Sequence, residues 1–241
     1  CIRDRTYFAN PDETILEASK RNGIEIPHLC YKEGMRPDGN CRVCMVEIEG
    51  ERVLQPSCVR TVTDGMIVNT SSERVLHSQK LVLELLTADV SENIYNKDSE
   101  LTSWANKLQI QTHRFPSNIQ DKHDATHPAI TVNLDACIQC TRCVRACREE
   151  QVNDVIGYAH RGNKSEIVFD INDSMGESTC VGCGECVQAC PTGALMPSKE
   201  VGLTIPDKKV ESVCPYCGVG CLLTYNVKDN KILYTDGRDG P

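Results

Sequence analysis

Residues 137–147 read CIQCTRCVRAC and residues 180–191 read CVGCGECVQACP: one CxxCxxCxxxC spacing written twice, each cysteine recurring 43 positions on (137 to 180, 140 to 183, 143 to 186, 147 to 190). Thiolates at such short separations are soft ligands able to close on a metal core. Three of them can wrap one corner of a 4Fe-4S cubane, but a fourth from the same short loop would strain it, so the fourth cysteine of each run serves the other core. The spacing therefore assigns Cys137, Cys140, Cys143 and Cys190 to one 4Fe-4S cluster, and Cys180, Cys183, Cys186 and Cys147 to a second. Gly182 and Gly184 suit the tight backbone between ligands, where amide N–H groups must approach sulfur. The rival use is a pair of zinc sites, although structural zinc usually takes two ligands from each of two knuckles.

Working outward, fifteen of the sixteen cysteines fall into three sets. Upstream, Cys30, Cys41, Cys44 and Cys58 leave gaps of ten, two and thirteen residues, which departs from the four-then-two spacing of plant-type ferredoxins. A long loop with three ligands and a fourth from a later strand would hold a 2Fe-2S cluster beneath a β-grasp sheet; a zinc knuckle is the alternative. His28, two residues before a ligand, reads as a loop or supporting group, and Cys1 as a free thiol outside every set. Downstream, residues 214–221 read CPYCGVGC and supply Cys214, Cys217 and Cys221, with an isolated zinc loop as the alternative.

The 5% aromatic content and single Trp argue against one large core and for two or three small modules in which metal sites replace missing core. With 34 acidic against 26 basic residues the formal charge is -8, which disfavours nucleic acid as a partner. No stretch approaches the roughly 18–20 apolar residues of a membrane span, and no charged leader precedes an apolar run. A disulfide framework belongs to short secreted chains, so the CxxC repeats point to metal in a reducing cytoplasm. The first residue is Cys1 rather than Met and the last are Gly240-Pro241, so both ends read as cuts from something longer.

The pattern predicts an α+β chain. A helix is expected near Asp12 to Asn22, stopped by Gly23, then a hairpin of Val43–Ile48 with Arg52–Leu54 and a closing strand at Met66–Asn69. A second helix runs to Ala88, with Thr70 and Glu73 at capping-box spacing. Residues 79–127 read as helix and connecting segment with a short helix around Leu101–Leu108, 128–197 as the dicluster unit, 198–210 as linker, and 211–241 as the start of a further unit with a hairpin of Leu222–Val227 and Lys231–Tyr234.

Several stretches carry family resemblances. The repeated motif resembles a bacterial two-cluster ferredoxin, and IPHLCYKEGMRPDGNCRVCMVEIEG (26–50) is similar to the N-terminal ferredoxin domain shared by complex I, iron hydrogenases and NAD-linked formate dehydrogenases. CPYCGVGC followed by LLTYNVKDNKILYTDGRDGP is similar to the start of the molybdenum or tungsten bis-pterin oxidoreductases, in particular formate dehydrogenase alpha subunits. HPAITVNLDACIQCTRCVRACREEQVNDVIGYA and STCVGCGECVQACPTGAL carry much of the rest. From Tyr7 to Pro241 the chain thus resembles the N-terminal electron-transfer part of a cytoplasmic, NAD-linked formate dehydrogenase alpha subunit.

That resemblance implies a β-grasp 2Fe-2S domain (1–78), a two-cluster 4Fe-4S domain and the β-hairpin start of a bis-pterin domain. In the full-length protein it implies a third 4Fe-4S cluster on Cys214, Cys217, Cys221 and a later cysteine, a Mo/W bis-pterin guanine dinucleotide, and a diaphorase-like NAD/FMN subunit or other acceptor as partner. Catalytic residues would lie beyond Pro241, so none is assigned here. Relatives often add a His and three cysteines after the first domain; Leu86 to His113 offers no cysteine, so His77 or His113 would have no companions and that centre is expected to be missing. The alternative function is a stand-alone multi-cluster carrier, or a subunit serving a hydrogenase or complex I-like enzyme. Arg142, Arg145 and Arg148 crowd the first loop whereas the second holds Glu185, which predicts a higher potential for the Cys137 cluster unless these arginines merely pair with Glu149, Glu150 and Asp154 at the surface.

Overall fold

The computed structural model describes residues 6–93, 95, 99–110, 114–198 and 205–238. Cys1, His113 and the Gly240-Pro241 end lie outside the described residues. The first unit opens with helix α1 (Ile15–Arg21), started by a full capping box in which Thr14 Oγ1 accepts from the Glu17 N–H and the Glu17 carboxylate accepts from the Thr14 N–H. Gly23, at φ +70, ends it where an L side chain would be strained. Strands β1 (Met45–Ile48), β2 (Gln55–Pro56) and β3 (Val68–Asn69) form an antiparallel sheet in the order β2-β1-β3. Ile15 and Leu16 press onto Val46, Ile48 and Val68 in its core, each such burial stabilising by about 1.5–3 kcal/mol.

The hairpin partner is displaced from its expected place. Met45 and Val46 pair with Pro56 and Gln55, not with Arg52–Leu54, because the chain turns at Gly50 and bends again at Arg52 and Val53 before pairing. Pro56, which lacks an N–H, is tolerated because β2 is an edge strand. The second helix, α2 (Glu73–Ala88), is capped by Ser72, whose hydroxyl accepts from Val75 N–H, rather than by Thr70. The short helix is present as α3 (Glu100–Lys107) and packs on α2.

In the dicluster unit, β4 (His123–Asp124), β5 (Ile130–Asn133) and, at its far end, Leu195–Pro197 form a sheet whose centre is β5. Between them lie α4 (Arg142–Arg145), continued by a π-helical turn at Ala146–Glu150, the hairpin β6 (Ile156–Ala159) and β7 (Glu166–Phe169), and α5 (Glu185–Ala189). The Leu195–Pro197 strand is β8. Sequence periodicity gave none of these strands: β4 and β8 are two and three residues long, and the four-residue β5, β6 and β7 are too short to show a pattern.

The last unit is a three-stranded antiparallel sheet of β9 (Lys208–Val213), β10 (Leu222–Lys228) and β11 (Lys231–Gly237), with β10 central. The hairpin was legible, but β9 begins inside the stretch expected as linker. Its KKVESV alternation is polar and mostly exposed, so it gave no buried-strand signal. Among the described residues no helix is long and apolar enough to cross a membrane.

Candidate metal centres

All fifteen described cysteines are free thiols, so the tight spacings are not spent on disulfides. Around the first set, Cys30, Cys44 and Cys58 are buried and Cys41 partly so. Hydrogen bonds from the Cys41 and Cys58 thiols hold the Cys30 thiol well below its usual range against the opposing push of burial. Cys44 is drawn to about 7, chiefly by the Cys58 thiol, while donation to Cys30 pushes Cys41 and Cys58 well up. Cys30 is thus a neighbour of both Cys41 and Cys58, and Cys58 of Cys44, although 28 positions of chain, 30 to 58, separate the outer two.

Two further sites arise from the repeat. Cys137, Cys140, Cys143 and Cys190 line one small space, and Cys147, Cys180, Cys183 and Cys186 line another. The last cysteine of each run thus faces the other run's space. Burial pushes Cys137 up to about 12, with the charge of Cys190 adding, and pushes Cys186 up to about 12, with Cys180, Cys183 and Cys147 adding ahead of Cys190. Such buried, mutually repelling thiolates need cationic charge among them to stay ionised.

Both loops use the same backbone. Gln139 and Thr141 stand at φ +54 and +66, and their repeat counterparts Gly182 and Gly184 at +67 and +80. Residue for residue, Gln139 N–H points at Cys137 Sγ and Gly182 N–H at Cys180 Sγ, each at 3.4 Å. Left-handed Gln and Thr cost roughly 1–2 kcal/mol each relative to Gly. Side-chain bonds offset this: Gln139 Nε2 donates to Ser165 O at 2.7 Å and Thr141 Oγ1 to Asp38 Oδ2 at 2.7 Å. Val155 N–H adds a 3.4 Å contact to Cys147 Sγ.

This donor set fits iron-sulfur cores. Soft thiols surround each space, and backbone N–H groups point at sulfur, as cluster ligands require.

The third set differs. Cys214 N–H bonds to Cys221 O at 2.8 Å across the mouth of the β9–β10 loop, with Cys217 and Cys221 exposed. His28 turns its Nδ1 to Ile26 O at 2.8 Å, and its ring packs edge-on against Tyr31. His77 is exposed on α2.

Three family models match, successively and without overlap: a 2Fe-2S iron-sulfur cluster binding domain over residues 2–73, a 4Fe-4S dicluster domain over 136–194, and a molybdopterin oxidoreductase Fe4S4 domain over 207–240. The chain carries three iron-sulfur domains. It is similar to a subunit of an NADH-quinone oxidoreductase of Rhizobium meliloti (32% identical over 96% of this chain, 28% of that protein) and to the HndD subunit of an NADP-reducing hydrogenase of Solidesulfovibrio fructosivorans (36%, over 87% and 38%). A putative formate dehydrogenase of Staphylococcus haemolyticus is 27% identical over 94% of this chain and 27% of its own length. The chain thus spans well under half of each of these relatives. Among solved structures, a chain of an NAD+-reducing NiFe-hydrogenase in its H2-reduced state superposes with TM-score 0.79 at 28% identity, covering 86% of this chain and 89% of that one. Fold and homology together give a chain of successive iron-sulfur domains similar to the corresponding stretches of these oxidoreductases.

Sequence reasoning missed how the first two domains meet. Arg142 and Arg145 are 4% and 3% exposed, so they do not pair at the surface; only Arg148 does, with Asp154 at 2.5 Å. Asn40 belongs to no motif, yet its side chain donates to Thr141 Oγ1 at 2.9 Å and Cys140 O at 3.3 Å. No local signal marks a contact spanning a hundred positions.

Proposed function

We propose that the intact protein oxidises formate to carbon dioxide at a molybdenum or tungsten bis-pterin, and that this segment is its cytoplasmic electron path towards a diaphorase-like NAD/FMN partner. In this reading Cys30, Cys41, Cys44 and Cys58 hold a 2Fe-2S cluster; Cys137, Cys140, Cys143 and Cys190 hold one 4Fe-4S cluster, and Cys147, Cys180, Cys183 and Cys186 a second. Cys214, Cys217 and Cys221 contribute three ligands of a further cluster nearest the pterin. When bound, the clusters accept and release single electrons.

The residues themselves hold, insulate and tune. The thiols bind, the N–H groups of Gln139, Gly182 and Val155 steady the sulfurs, and buried Ile130, Val155, Ile156 and Leu195 keep water from the two dicluster spaces. The single observation that carries the formate reading is the third domain: the CPYCGVGC loop between β9 and β10 lies within the molybdopterin oxidoreductase match. Relatives named as putative formate dehydrogenases align over 94–95% of the chain and support it.

A second reading, a subunit of a hydrogenase or complex I-like enzyme, is favoured by the higher identities to the NADH-quinone oxidoreductase relative and to HndD. One experiment separates them. The full-length protein, anaerobic and oxidised, is offered formate, H2 or NADH while cluster absorbance and electron paramagnetic resonance are followed. Formate alone bleaching the clusters supports the proposal; bleaching by H2 or NADH with none by formate overturns it.

A further inference from the structure

The 2Fe-2S domain is pinned to the dicluster domain through two buried cations. Arg145 donates through Nη1 to Arg36 O and through Nη2 to Cys30 O, the carbonyl of a proposed 2Fe-2S ligand. Its Nε faces Asp38 Oδ2 at 3.5 Å, an ion-pair contact without a hydrogen bond. Arg142, one turn earlier on α4, donates through Nη1 to Leu29 O at 3.1 Å and to Glu100 Oε2 at 2.8 Å. Its Nε is buried with no hydrogen-bond partner. Both arginines flank Cys143 in sequence, so two guanidinium charges leave the Cys137–Cys147 loop and end on the backbone beside Cys30.

Neutral contacts complete the seam. Asn40, next to Cys41, reaches Cys140 O and Thr141, and Met35 packs on Ala146 and Ala189. Leu29, Cys30, Val43, Leu83, Leu101, Ile138 and Cys140 share one apolar cluster that takes in both ligand loops and the two helices α2 and α3. A cation this deeply buried is tolerated only where partners and nearby negative charge compensate it. The partners on hand are carbonyls and two carboxylates: Asp38 lies within reach of Arg145, and Glu100, at 39% side-chain exposure, is bonded to Arg142. Anionic clusters held by the ligands proposed above would complete the compensation.

From this geometry we infer that Arg142 and Arg145 are positioning residues that fix the Cys30 loop against the Cys137–Cys147 loop and form one block of positive charge shared by the two metal sites, so that both potentials are set together. This goes beyond the expectation of a local effect on the Cys137 site alone. It rests on the ligand assignment proposed above and is independent of formate as substrate.

The test is a redox titration of the full-length protein followed by electron paramagnetic resonance, with the 2Fe-2S and 4Fe-4S signals separated by temperature. Arg145→Gln removes charge, and both midpoints are expected to fall by about 59 mV, a tenfold shift in a one-electron equilibrium. Arg145→Lys keeps the charge but cannot span the Cys30 and Arg36 carbonyls as a planar fork does. Its potentials are expected to stay near native while the dipolar broadening between the two reduced centres weakens. Asp38→Asn leaves both arginines in place and is expected to raise both midpoints, which keeps the test sharp should an arginine variant lose its clusters. With native iron content, a shift confined to the 4Fe-4S signal, or none in Asp38→Asn, overturns the inference. Absence of iron and acid-labile sulfide from the anaerobic native protein would instead overturn the ligand assignment beneath it.

Discussion

Replacing Cys190 by alanine probes the crossed arrangement of the repeat. Cys190 follows Cys186 by one helical turn, yet it lines the space of Cys137, Cys140 and Cys143 rather than that of its own run. Each cubane carries four iron atoms, so the two sites together hold about eight. Cys190→Ala and Cys137→Ala are each expected to remove about four, and the double variant no more than about four, since both strip one site. Cys190→Ala combined with Cys180→Ala is expected to lose about eight, because two sites are then broken. The assay is iron and acid-labile sulfide per chain in the anaerobic full-length protein, referred to the native value, with circular dichroism as the control for folding. If the Cys190/Cys137 pair lost all eight while the Cys190/Cys180 pair lost only half, the cysteines would not be crossed.

Leu83→Ala empties a fully buried position in the cluster joining Leu29 and Cys30 to Cys140; it is expected to cost about 2–5 kcal/mol, and cluster absorbance of both domains should vanish in one lowered thermal transition, separate transitions arguing against a shared core. Gly182→Ala places a methyl at φ +67, with the new Cβ 3.4 Å from His127 Cε1; a loss of roughly 1–2 kcal/mol in a denaturant titration is expected, and an unchanged midpoint would contradict the loop shape. Burial alone would raise the Asp124 carboxyl, but bonds from Thr126 and from the Met175 N–H outweigh it and hold it below its usual range. Its contribution is therefore present above the unfolded value of about 4 and lost as pH falls through the lower folded value. Asp124→Asn is expected to flatten that acid limb of a Tm–pH curve, and an unaltered limb would refute it.

The chemistry of this chain is written locally and its geometry is not. CxxCxxCxxxC names its ligands because a thiol's softness and a three-residue reach are properties of the peptide itself, so the dicluster unit, the CPYCGVGC module and helix α1 could be read from adjacent residues, whereas the capping box lies at Thr14 and Glu17 of α1 rather than at Thr70 and Glu73. Short or polar strands such as β4 and β9 could not, since two residues, or an exposed alternation, leave no periodic trace of burial. Arg142 and Arg145 were visible as charge beside the first loop, but sequence spacing allowed them to be solvated like Arg148. Only the docking of the Leu29–Asp38 stretch against α4 buries them and sets their guanidiniums on Leu29 and Cys30, more than a hundred positions away. Ligand identity is a short-range property of the chain, whereas the distance and charge between metal sites depend on how separately folded units pack together.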